Sequence, residues 1–170
     1  MKRSAAFLIV AGLCGASTVS AATLQVGPGK TYAAPCAAVA AASDGDVIEI
    51  DAGTYAGDVC AVNKNGLTLR GMGGFAKLDA AGKNYGGKAI WVISGNDTTV
   101  ENIEFFGAKV VDQNGAGIRQ EGANLTVRHC YFHDNEDGIL AGNSANSTIT
   151  IEYTEFANNG FGDGQSHNLY

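Results

Sequence analysis

Apolar and polar positions in the second half of the chain follow a unit that recurs. It reads Thr99-Val100-Glu101-Asn102-Ile103-Glu104-Phe105, then Thr126-Val127-Arg128-His129-Cys130-Tyr131-Phe132, then Thr150-Ile151-Glu152-Tyr153-Thr154-Glu155-Phe156. Each copy holds two short apolar stretches joined at a residue suited to a sharp bend. A glycine-led strand lies between copies, Gly117-Ile118-Arg119-Gln120-Glu121 and then Gly138-Ile139-Leu140-Ala141. The copies are offset by 27 and then 24 residues, and self-similarity at such a period marks a repeat architecture. One unit cannot bury its own apolar side chains, so successive coils must stack. The pattern predicts a solenoid of strands, with Val100, Val127 and Ile151 in one interior column and Phe105, Phe132 and Phe156 in another.

The first half carries the same signals less regularly. Thr31 to Ala42 is alanine-rich with Pro35 near its start, and Ser43-Asp44-Gly45 stops it, so a short amphipathic helix is predicted there. An alternating strand over 45–55, a second over 65–71 and a third over 89–93 precede the regular repeats. Asn-x-Ser/Thr sequons at Asn96, Asn124 and Asn146 fall where chain turns precede β-branched strands, and they read as turn residues.

Composition changes the picture at the N-terminus. Lys2 and Arg3, an apolar run from Ala5 to Ala16 and the small residues Val19-Ser20-Ala21 have the pattern of a secretory signal peptide over 1–21, which leaves 22–170 as the folded part. Leu13 before Cys14 argues against a lipoprotein anchor. The formal net charge is −6, and loss of Lys2 and Arg3 makes it more negative still. A secreted acidic protein is a poor partner for nucleic acid or an anionic membrane. No later run is apolar and long enough to cross a membrane.

Three cysteines follow the leader: Cys36, Cys60 and Cys130. Export permits disulfides. Cys36 and Cys60 flank the first long strand, and a bridge between them would tie the N-terminal helix to the next turn, worth about 3 kcal/mol on chain entropy. Cys130 falls at an inward position of its repeat and reads as an inert buried thiol.

The helix, then Gly-Asp-x-Ile-x-Ile-x-Ala-Gly-x-Tyr at 45–55, then Gly-Leu-Thr-Leu-Arg-Gly at 66–71, resembles the start of a right-handed parallel β-helix of the pectate-lyase-like superfamily. The later units are similar to its generic repeats, and the resemblance covers about 24–170. It implies an all-β, three-sheet coil with a short N-terminal capping α-helix. First-sheet strands are expected at 89–93, 117–121 and 138–142, and second-sheet strands at 98–101, 125–128 and 148–152. Third-sheet strands are expected at Ile103–Phe106, Cys130–Phe132 and Thr154–Phe156. Asn102 would take the left-handed bend between the second and third sheets. His129 and Tyr153 stand at that place in later coils, where a looser bend is expected. The scaffold carries many reactions, so the resemblance implies fold far more than chemistry.

Candidate chemistry is placed by that register. Trp91, Arg119, Leu140 and Tyr170 would form an outward column on the first sheet. There an aromatic face suits a sugar ring and an arginine suits the carboxylate of an acidic sugar. A longer turn after Phe156, containing Gly162, Asp163 and Gly164, leads to Ser166-His167-Asn168-Leu169-Tyr170. His167 would lie one coil above Asp137, a carboxylate–imidazole pair suited to general acid–base work. The competing reading of each is an ordinary solvated turn or sheet residue. Asp134, Glu136, Asp137 and Asp163 are hard oxygen donors, but their spacing matches no closed calcium loop. No cofactor is therefore expected, and calcium is the alternative. His129, His133 and His167 are too scattered for zinc.

The resemblance thus implies a secreted β-helix that binds, and as a lyase-like enzyme cleaves, an acidic or neutral extracellular polysaccharide. Arg119, Asp137, His167 and Tyr170 are the expected catalytic residues, with Trp91, Arg119 and Asp163 binding substrate. The alternative is a non-catalytic cell-surface or adhesion module. Ending in a first-sheet strand without a polar cap, the chain is also expected to continue past Tyr170 or to associate end to end through that coil.

Overall fold

The structure, a computed structural model, describes residues 20–160 and 166–170. The proposed signal peptide falls almost entirely outside the described residues. The chain winds into a right-handed parallel β-solenoid of about 6 turns. It opens with β1 (Thr23–Val26), α1 (Pro35–Ala41), β2 (Val47–Ala56), β3 (Cys60–Val62) and β4 (Thr68–Asp79). Regular coils follow: β5 (Ala89–Ile93), β6 (Thr98–Glu101), β7 (Ile103–Phe106), then β8 (Ala116–Gln120), β9 (Leu125–Arg128), β10 (Tyr131–His133), then β11 (Asp137–Ala141), β12 (Ile149–Glu152), β13 (Glu155–Ala157). Among the described residues no helix is long and apolar enough to cross a membrane.

Parallel pairing builds three walls. The first runs β11-β8-β5-β3. The second and third are continuous through β2 and β4, each of which turns the corner without breaking: β12-β9-β6 leave the start of β4, and β7-β10-β13 leave its end. The expected second-sheet strands are found within one residue. Two third-sheet strands begin one residue later than expected, at Tyr131 and Glu155, because Cys130 and Thr154 still belong to the bend.

Like residues stack inside. Leu69, Val100 and Val127 lie in register with Ile151, and Leu78, Phe105 and Phe132 with Phe156. Phe105 and Phe132 are parallel at 4.8 Å between ring centroids, and Phe132 and Phe156 at 5.0 Å. Each buried ring contributes about 1.5–3 kcal/mol of burial. The first-sheet glycines make room for this ladder: a Cβ on Gly117 would lie 2.8 Å from Phe132 and 3.0 Å from Phe105. In the coil below, Ile90 takes the glycine place, Trp91 pairs with Ile118, and Val92 pairs with Arg119.

Helix α1 is shorter than expected. Its first residue is Pro35, and Ala34 before it is extended at φ −143°, the conformation a following proline favours. Pro35, Ala38 and Val39 are buried beneath the first coil. Cys36 and Cys60 are bonded as expected, their Cα atoms 5.8 Å apart. Cys130 is free and buried, and burial pushes its thiol up to about 12.

The bend between second and third sheets is the same in every regular coil. Asn102, His129 and Tyr153 have φ of 55°, 49° and 49°, so the expected loosening does not occur. Asn102 supports its bend by donating through Nδ2 to the carbonyls of Gly71 and Gly74, both at 2.9 Å. His129 and Tyr153 instead stack on each other, 4.9 Å apart and 8° from parallel. Asparagines also bridge the other turns: Asn96 Oδ1 accepts the Ala123 amide at 2.8 Å, and Asn124 Oδ1 accepts that of Thr148 at 3.1 Å.

Candidate functional site

On the first sheet the outward column is Val92, Arg119 and Leu140, which leads on to Tyr170 at the last coil. Trp91 is not in it. The register expected from the glycine-led strands is off by one here, because Ile90 rather than Ala89 occupies the glycine place, and Trp91 turns inward. The indole is fully buried and meets Phe105 edge-on. Trp91 therefore presents no face to a sugar.

Val92 and Leu140 are buried and pack with Ala89 and Ala116, so this wall offers a covered apolar seam rather than an open cleft. The Arg119 Nε lies 3.9 Å from Glu121, which also pairs with Lys88. Asp137 and His167 do meet, as the sequence suggests, but through different atoms. The His167 backbone N–H donates to Asp137 Oδ1 at 2.6 Å, while the imidazole stacks on Tyr170 with centroids 5.4 Å apart. Asp137 fastens the last coil to the one beneath it. Asp163 lies outside the described residues.

The other acidic candidates are similarly engaged. Glu136 Oε2 accepts the amides of Val110 at 2.9 Å and Gly115 at 2.7 Å, which holds the turn before β8. Asp134 contacts His133 Nδ1 at 2.6 Å. Among the described residues no three His, Cys, Asp or Glu side chains come together to hold a metal ion.

The outer surface of the third sheet has a different character. Lys77, Glu104, Tyr131 and Glu155 lie in register along it, beside a second column of Asp79, Phe106, His133 and Ala157. His133 is enclosed: its ring stacks on Phe106 at 5.0 Å and on Tyr131 at 4.3 Å. Nε2 is 3.1 Å from Glu104, whose other oxygen pairs with Lys77 at 3.1 Å. Two carboxylates thus flank one imidazole, which can donate to both only when both nitrogens carry protons. The arrangement fixes Tyr131 from behind.

Tyr131 borders a groove of about 480 Å³ at the corner between the second and third sheets. Phe75, Asn102, His129, Tyr153 and Glu155 complete its rim, with Cys130 behind them. Tyr153 is 81% exposed and Phe75 38%. Phe75 is delivered by the kink in β4 at Gly71-Met72-Gly73-Gly74, whose carbonyls Asn102 holds. Successive coils supply the other rings, with His129 and Tyr153 stacked face to face and Tyr131 stacked on His133. Sequence reasoning missed this site. Its signal was present in the replacement of the bend asparagine by His129 and Tyr153, beside Tyr131 at an outward strand position.

The sequence model of a family described as "Right handed beta helix region" matches residues 59–167. No curated protein matches the chain. Among solved structures, the chain is similar to the pectin methylesterase PemA from Erwinia chrysanthemi, at 18% identity with a TM-score of 0.50. The match covers 80% of this chain and 46% of that one, so the chain spans about half the length of that structure, and the likeness is one of fold.

Proposed function

The chain belongs to the right-handed β-helix family, and from that premise we infer that it is a secreted protein that binds an extracellular polysaccharide. One observation carries this reading: an open groove of about 480 Å³ rimmed by Phe75, Tyr131 and Tyr153. Sugar rings present C–H faces that pack on aromatic rings, and each such contact is worth about 0.5–1.5 kcal/mol beyond area burial. Rings repeated from coil to coil suit a polymer better than a single sugar. The Cys36–Cys60 bridge agrees with an oxidising compartment. The solved structure of similar fold bears the name of an enzyme acting on pectin, itself a sugar polymer.

Turnover is a second reading, favoured by the gathering of Asp137, His167 and Tyr170 at one end of the first sheet. There Arg119 would orient a uronate, and His167 or Tyr170 would move a proton.

Affinity electrophoresis of the purified protein through gels containing neutral, uronate or amino polysaccharides tests binding. Retardation by at least one polymer, lost in a Tyr131→Ala/Tyr153→Ala double variant that keeps its circular dichroism, is expected. No retardation by any of them would refute the reading. Product absorbance in the same mixtures reports elimination separately.

A further inference from the structure

We propose that the corner groove takes an uncharged glycan chain and that Glu155 is the residue that excludes uronates; this rests on the polysaccharide reading above. The argument is one of charge. Glu155 is exposed on the rim, and its carboxylate has no hydrogen-bond or ion-pair partner among the described residues. The cations next to the corner in sequence and register are paired with carboxylates of their own. Arg128, adjacent to His129, pairs with Glu152 at 2.7 Å and Glu101 at 3.6 Å. Lys77, in the Tyr131 column, pairs with Glu104 at 3.1 Å.

A uronate entering the groove would therefore meet a free carboxylate and find no lysine or arginine on the rim. Taking its charge partly out of water would go uncompensated. A neutral sugar meets no such penalty. Its hydroxyls can donate to the two Glu155 oxygens, while Tyr131, Tyr153 and Phe75 offer apolar ring faces. The Asn102 amide cannot add a donor readily, since its nitrogen already serves Gly71 and Gly74. Recognition then consists of ring stacking with one free acceptor.

The test is a binding comparison at low and high salt with three probes: a neutral glucan or mannan, polygalacturonate, and the amine-bearing polymer chitosan. Wild-type protein should bind a neutral polymer with little salt dependence and bind polygalacturonate at least about tenfold more weakly, the scale of one uncompensated charge. Glu155→Gln should narrow that gap, and Glu155→Lys should reverse it. Preference for polygalacturonate in wild type would overturn the proposal. So would salt-sensitive preference for chitosan, which would assign Glu155 to cation recognition. Absence of binding to all three would instead remove the polysaccharide reading on which the proposal stands.

Discussion

Trp91 stands edge-on against Phe105, their centroids 5.2 Å apart and their planes at 82°. The indole closes the lower end of the phenylalanine ladder that Phe132 and Phe156 continue. Its place is therefore in the stability of the solenoid and not on a ligand surface. Trp91→Ala should cost about 3–5 kcal/mol, as for other buried aromatic truncations, read from denaturant unfolding. Glycan binding by the fraction that remains folded should be unchanged. A variant of native stability would place the indole elsewhere.

Gln120 is the opposite case. It is buried at 2% exposure in register with Ile93 and Ala141, and neither its amide oxygen nor nitrogen has a partner among the described residues. Removing an unsatisfied buried polar group in favour of an apolar one of similar size relieves its desolvation cost. Gln120→Leu should raise stability by about 1 kcal/mol, seen as a higher denaturation midpoint. A fall in midpoint would reveal a hidden partner for the amide.

Two aspartates near the N-terminal coil should give opposite pH signatures. Asp46 accepts the amides of Ser43 at 2.8 Å and Ala22 at 2.7 Å, and these bonds hold its carboxyl below the ordinary carboxylate range. Its contribution is present above the unfolded value and is lost as pH falls through the folded one. Burial raises the Asp58 carboxyl despite the amide of Cys36 at 2.9 Å. The stability it favours is present below the unfolded value and lost as pH rises through the folded one. Asp46→Asn should flatten the acid limb of a stability–pH profile, and Asp58→Asn should flatten the decline as pH rises from the unfolded value of that carboxyl through the folded one. Unaltered profiles would contradict both assignments.

The disulfide and the thiol should separate cleanly. Cys130 is 2% exposed, its Sγ lies 3.2 Å from the Arg128 carbonyl, and burial pushes its thiol up to about 12. Native protein should resist alkylation at neutral pH and become labelled once unfolded. Reduction of Cys36–Cys60 should lower stability by about 2–4 kcal/mol. Rapid labelling of folded protein would show the coil around Cys130 to open locally.

The strands were legible because the repeat itself is a spatial statement. Residues one coil apart in sequence lie in register, so Val127 over Val100 and Phe132 over Phe105 could be read from the periodicity. The failure at Trp91 came from parity. Gly117 and Gly138 mark a place that faces inward, and without a glycine at Ile90 the strand could be aligned one residue wrongly. The corner groove was hidden for another reason. It joins bend residues of three coils to Phe75, which reaches the corner through a kink in β4 with no counterpart in the later repeats.

Tyr153 offers a way to test the groove without disturbing the coil that carries it. Its left-handed φ of 49° costs a tyrosine about 1–2 kcal/mol, a conformation asparagine tolerates. The stack on His129 at 4.9 Å returns about 0.5–1.5 kcal/mol of that. Tyr153→Asn removes strain and stacking together, so stability should change by less than about 1 kcal/mol. Affinity for the preferred polysaccharide should nevertheless fall by about threefold to tenfold, since one aromatic face is lost from the rim. Titration calorimetry and thermal unfolding on the same sample would read both quantities. Unchanged affinity at unchanged stability would show that Tyr153 takes no part in binding, whatever the neighbouring Tyr131 does. A large loss of stability would show instead that the His129 stack, and not the bend conformation, governs the energetics of this corner.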